Sequence, residues 1–131
     1  MKAFDNSEFE AYQAEAKEKW GGTAAYRDYE QKTKNYTAGQ WQETTEGMDR
    51  LMGAFAACMK QGAAPDSAEA RQLVKRLQDY ITERCYPCTK EILAGLGQMY
   101  TADERFQKNI DRHADGTAAF LREAIGAYCG R

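Results

Sequence analysis

The sequence lacks most of what builds a β-sheet. Valine and isoleucine number only five in 131 residues. No segment alternates apolar and polar residues, the period of a half-buried strand. There are only two prolines, and the 11 glycines are scattered. No linker, low-complexity tract or internal repeat therefore divides the chain. Positive charge is not in excess: the formal net charge is -2, and the sequence pI is about 5.5. This excludes the basic footprint of nucleic-acid binding, so no nucleic acid is expected to bind through this domain alone. No apolar run approaches the roughly 18 residues of a membrane span, and mean hydropathy is -0.78. Met1 to Glu10 is polar and acidic, so no secretory signal is expected. The length suits one domain, 1–131, with a single core. The expected setting is cytoplasmic, with no membrane partner.

Apolar residues recur at spacings of three and four, the helical signature. Trp41, Thr44, Met48, Leu51, Met52, Phe55 and Met59 form the clearest stripe, ending at Gln61-Gly62 with Pro65 beyond. Glycine just past a stripe, then proline, marks a helix stop. The next helix opens at Asp66-Ser67-Ala68-Glu69, with Asp66 as expected cap and Glu69 reaching back. Its stripe is Ala70, Leu73, Val74, Leu77, Tyr80 and Ile81. Pro87 ends it, because proline disfavours helical geometry at the residue before it. Thr89 then caps a short helix carrying Ile92, Leu93, Leu96 and Met99. Thr101-Ala102-Asp103-Glu104 reads as a capping box for another, with Phe106 and Ile110. A last helix is expected from about Asp115 to Tyr128. The fold class is all-α.

Residues 1–50 contain no leucine, isoleucine or valine, yet hold eight of the fifteen aromatics: Phe4, Phe9, Tyr12, Trp20, Tyr26, Tyr29, Tyr36 and Trp41. Two weak helices, about 6–19 and 23–35, are readable around Gly21-Gly22, with Thr23 as a cap. Short helices are marginal in water without a packed face. Such a segment must dock, either conditionally as a lid over 1–40 or permanently on a stable helical core, 41–131.

Four cysteines stand at 58, 85, 88 and 129. Cys88, in Tyr86-Pro87-Cys88-Thr89, lies just ahead of a helix N-terminus. Unpaired N–H groups there favour a thiolate, with Arg84 and Lys90 expected to push the same way. A nucleophilic thiol and a buried, inert one both fit this spacing. Cys85 and Cys88 also form C-x-x-C, but the strand-to-helix setting of a redox enzyme is absent. Zinc needs four ligands, and no second close pair accompanies this one, so neither a metal nor a cofactor is expected. His113, the one histidine, suits a helix C-terminus as a structural residue. The five methionines, at 1, 48, 52, 59 and 99, are mostly core, or the adaptable lining of a pocket for bulky ligands.

These pieces together resemble a known family. Tyr86-Pro87-Cys88, Ala94-Gly95-Leu96-Gly97-Gln98-Met99-Tyr100 and Ala102-Asp103-Glu104-Arg105-Phe106 follow at matching spacing. Upstream, Glu15 to Gly21, Tyr26-Arg27 and Thr33 to Thr37 fit the same pattern. The chain is similar to the TipAS antibiotic-recognition domain, the effector domain of thiostrepton-induced MerR-type transcription regulators. The resemblance implies a globin-like fold of about seven helices with a deep cleft. N-terminal helices would close over a thiopeptide or another bulky apolar antibiotic. It also implies that Cys88 can add to a ligand dehydroalanine. Tyr86, Tyr36, Trp41, Met48, Met99 and Tyr100 are the expected cleft residues. Full-length members carry an N-terminal winged helix-turn-helix for DNA and a dimerising coiled coil, neither of which is expected within these residues. The expectation is therefore an excised effector domain or a stand-alone drug-sequestering protein, not an enzyme; a thiol redox enzyme using Cys85 and Cys88 is the rival. Where the family commonly has an aromatic residue before Tyr-Pro-Cys, this chain has Cys85.

Overall fold

The computed structural model describes residues 22–130, which form six helices and no strand. Six of the seven expected helices are among them; the one expected at about 6–19 lies outside the described residues. Helix α1 spans Ala24–Thr33, and the Thr23 hydroxyl caps it by accepting from the Tyr26 N–H at 3.1 Å. Helix α2, Ala38–Lys60, begins with a reciprocal capping box between Thr37 and Gln40. The apolar stripe from Trp41 did not reveal that start. Helix α2 ends at Lys60 with Gln61 as its C-cap, and Gly62 just beyond takes φ +87, a value L side chains rarely adopt.

Helix α3, Ala68–Arg84, is capped by Ser67, whose hydroxyl accepts from the Ala70 N–H at 3.2 Å. Asp66, the expected cap, stands one residue too early: the helix takes its first turn from Ala68. Helix α4, Lys90–Ala102, is capped by Thr89 as expected. The expected capping box at Thr101 does not form, because Thr101 and Ala102 complete α4. Asp103 instead caps helix α5, Glu104–Asp111, accepting from the Arg105 N–H at 3.0 Å. Helix α6 spans Thr117–Cys129, entered through Gly116 at φ +89. Its first turn is capped from a distance, the Ala118 N–H donating to the Asp111 carboxylate at 2.8 Å.

Phe55, Val74, Leu77, Leu93, Leu121 and Ile125 are fully buried, placing the core among α2, α3, α4 and α6. Each such side chain contributes about 1.5–3 kcal/mol by leaving water. Helices α4 and α6 pack most extensively. Gly97 permits that approach, since a Cβ there would stand 3.2 Å from the Ile125 side chain. Helix α2 runs antiparallel to α3, with the Tyr80 hydroxyl donating to the Thr44 carbonyl at 2.7 Å. His113 lies past the end of α5, with Nε2 3.0 Å from the Asp49 carboxylate on α2. Asp49 also pairs with Arg112 at 2.7 Å. Among the described residues, no helix is long and apolar enough to cross a membrane.

Candidate functional site

The Tyr-Pro-Cys turn is folded back onto the helix it leaves. The N–H groups of Cys85 and Tyr86 both donate to the Ile81 carbonyl, at 2.8 and 3.1 Å. The Cys88 N–H donates to the Thr82 hydroxyl at 3.1 Å. The Gln78 amide donates to the Cys88 carbonyl at 2.8 Å. Its other end accepts from the Tyr128 hydroxyl at 2.7 Å, tying the turn to α6 as well. Gln78 follows Val74 by one helical turn and Leu77 by one residue, which sets it at the edge of the buried face of α3. That placement was the one sequence signal for its role.

Tertiary packing gives Cys88 the opposite acid–base character from the one expected of a helix N-terminus. The residue is 5% exposed. Burial pushes its thiol up to about 11, with the neighbouring Cys129 and Cys85 adding to the effect. Desolvation penalises the thiolate more than the helix end favours it. The expected cations are engaged elsewhere. Arg84 pairs with Glu43 at 2.9 Å, and the Lys90 ammonium lies 5.1 Å from the Tyr128 ring centroid. Cys85 is also pushed up by burial, to about 11, against the opposing charges of Arg84 and Lys32. Burial moves both thiols away from the lowered pKa on which C-x-x-C oxidoreductases rely. Among the described residues, no three His, Cys, Asp or Glu side chains converge as metal ligands.

An aromatic cluster meets the turn at Tyr86. Tyr29 on α1 meets Tyr86 edge-on, with ring centroids 6.3 Å apart. Tyr29 also lies 6.1 Å from Trp41 and 5.5 Å from Tyr26. Trp41 meets Tyr36 at 5.1 Å, and the Tyr36 hydroxyl donates to the Arg84 carbonyl at 2.8 Å. The structure thus gathers Tyr36, Trp41 and Tyr86, with Tyr29 as the ring that joins them. The aliphatic-free composition pointed to this segment, but not to Tyr29 within it. Tyr100 is buried and packs on Phe106 at 6.2 Å. Burial first, and then Cys88 and Cys85, raise its phenol pKa. Met48 and Met99 are half-buried against the main core. A groove of about 300 Å³ opens elsewhere, between α2 and α3, lined by Ala54, Cys58, Leu73 and Arg76 among others and by none of the expected cleft residues.

The profile of the TipAS antibiotic-recognition domain matches residues 12–128. The chain is 37% identical over 131 residues to the HTH-type transcriptional activator TipA of Streptomyces coelicolor, covering 100% of this chain and 52% of that one. It is 38% identical over 120 residues to the activator mta of Bacillus subtilis, covering 92% and 46%. The chain therefore spans about half the length of these relatives. Among solved structures it is similar to TipAS of Streptomyces lividans in complex with nosiheptide, from a thiopeptide antibiotic multidrug resistance system. That match has a TM-score of 0.82 at 38% identity, covering 96% of this chain and 86% of the other. A second likeness is to the antibiotic binding domain of a TipA-class multidrug resistance transcriptional regulator, with a TM-score of 0.62 at 37% identity, covering 68% and 95%. The matched residues run from ahead of α1 almost to the end of α6 and take in the whole aromatic cluster and its turn, so the chain belongs to the TipAS antibiotic-recognition domain family.

Proposed function

We propose that this chain is the drug-binding effector domain of a transcription regulator, taking thiopeptide-like or other bulky apolar antibiotics against the Tyr-Pro-Cys turn. The observation that carries this reading is the Tyr29, Trp41 and Tyr86 ring cluster on that turn, within a family whose solved relative holds nosiheptide. Aromatic faces supply large apolar contact at low conformational cost. Tyr36, Met48, Met99 and Tyr100 complete the proposed lining. Helix α1 is the described part of the proposed lid, and ligand contacts made only in the closed state would shift the population toward it. Regulation would run through an N-terminal helix-turn-helix and a dimer of the longer protein, in the cytoplasm. The same site in a stand-alone chain would sequester drug.

Cys88 is the proposed covalent residue. Its sulfur would bond the terminal carbon of a ligand dehydroalanine while a proton is delivered to the α-carbon, so atoms balance without an oxidant. Because burial holds the thiol protonated, non-covalent binding precedes this addition and is sufficient for closure. Titration calorimetry with nosiheptide tests the reading: saturable binding is expected, with slower amide exchange in α1. Intact mass then reads any adduct, which Cys88→Ser should abolish. The absence of both binding heat and mass adduct would sink the proposal.

A further inference from the structure

Among the described residues, the Thr44 hydroxyl is the one buried side-chain polar atom without a hydrogen-bond partner. A helical threonine can turn its hydroxyl onto a carbonyl in the preceding turn. Thr33 does so, donating to the Tyr29 carbonyl at 2.8 Å, and Thr45 donates to the Gln42 carbonyl at 3.0 Å. Thr44, only 5% exposed, makes no such bond. Its backbone carbonyl is satisfied by Tyr80; its hydroxyl is not. A polar group left this way destabilises the free protein.

The position of Thr44 points to what would satisfy it. It follows Trp41 by three residues and precedes Met48 by four, which puts all three on one face of α2. Trp41 meets both Tyr29 and Tyr36. On either side of Thr44, Glu43 pairs with Arg84 and an added Cβ at Gly47 would overlap the Tyr80 ring. This stretch of α2 is thus held against the end of α3 that leads into the Tyr-Pro-Cys turn.

We infer that Thr44 is a recognition residue, its hydroxyl completing its hydrogen bonding with an amide N–H or carbonyl of a peptide-like ligand seated against Trp41. The inference rests on the antibiotic-binding reading above. A hydroxyl already out of water before binding loses no hydration when the ligand arrives, so its bond counts more fully toward affinity.

Nosiheptide affinity is measured by calorimetry for the unmodified chain, Thr44→Val and Thr44→Ser, beside the melting temperature of each free protein. Thr44→Val keeps shape and removes the hydroxyl; it should weaken binding roughly tenfold and melt no lower than the unmodified chain. Thr44→Ser restores the hydroxyl and should bind within about twofold of the original. If the unmodified chain binds and Thr44→Val binds equally well, the role of Thr44 is overturned while the binding function stands. A lower melting temperature for free Thr44→Val would also overturn it, because the hydroxyl would then have a partner within the protein. If the unmodified chain fails to bind nosiheptide, both readings fall.

Discussion

The ring of Tyr29 stands edge-on to the ring of Tyr86, with centroids 6.3 Å apart and planes inclined at 75°. One belongs to α1 and the other to the turn that carries Cys88, so this pair couples the aromatic segment to the thiol. An edge-to-face pair contributes about 0.5–1.5 kcal/mol beyond the area it buries. Tyr29→Ala should therefore speed amide exchange in α1 by about tenfold while global melting changes little. Unchanged exchange in α1 would show that the helix is held by other contacts.

Cys88 should be slow to alkylate in the free protein. With the thiol pushed up to about 11, its thiolate fraction at pH 7 is on the order of 10⁻⁴. The iodoacetamide rate at Cys88, followed by peptide mass, should rise about tenfold per pH unit from 7 towards 10. A rate already level by pH 8 would contradict the burial argument.

The same shift makes stability depend on alkaline pH. A cysteine thiol ordinarily ionises near 9, whereas folded Cys85 and Cys88 do so at about 11. Below 9 both thiols are protonated in the folded and unfolded states, and the contribution of burial is fully present. Above it the unfolded chain releases protons first, so stability falls as pH rises from about 9 to about 11. Thermal melts should show this loss, and Cys85→Ala together with Cys88→Ala should flatten it.

Gln78 bridges the Cys88 carbonyl and the Tyr128 hydroxyl. Gln78→Leu leaves both without that partner and should cost about 2 kcal/mol, against about 1 kcal/mol for Tyr128→Phe. In a double-mutant cycle the two losses should sum to less than their separate values, because they share one bond. Denaturant unfolding measures all three; strict additivity would show that the bond contributes nothing.

Gly47 gives Tyr80 its place. A Cβ at this position would overlap the Tyr80 hydroxyl and ring, so Gly47→Ala must displace the ring and its bond to the Thr44 carbonyl. A destabilisation of about 2–3 kcal/mol is expected, typical of overpacking in a close-packed interior. Tyr80→Phe in the same chain removes the nearest atom and should recover part of it. A Gly47→Ala variant that melts like the original would mean that α2 and α3 can separate freely.

Periodicity and local chemistry determined the helices. The spacing of Leu51, Phe55, Val74, Leu77 and Ile81 marks buried faces because the α-helix repeats every 3.6 residues, and Thr23 and Thr89 mark starts because a hydroxyl can satisfy a free N–H. The Tyr-Pro-Cys turn and its family resemblance were equally legible, since both reside in consecutive residues. Which residue caps α3 and α5 was less so: Ser67 takes the place of Asp66 because α3 starts one residue later, and Asp103 that of Thr101 because α4 runs on through Ala102. Tertiary structure alone decided the character of Cys88. Its position before a helix N-terminus predicts an easier thiolate, yet burial beside Cys129 and Cys85 outweighs that local field. It likewise decided that Tyr29 is the ring meeting Tyr86 and that Gln78 holds the turn. A helix dipole acts over one turn and can be read from adjacent residues, whereas desolvation depends on what distant segments bring to the same point.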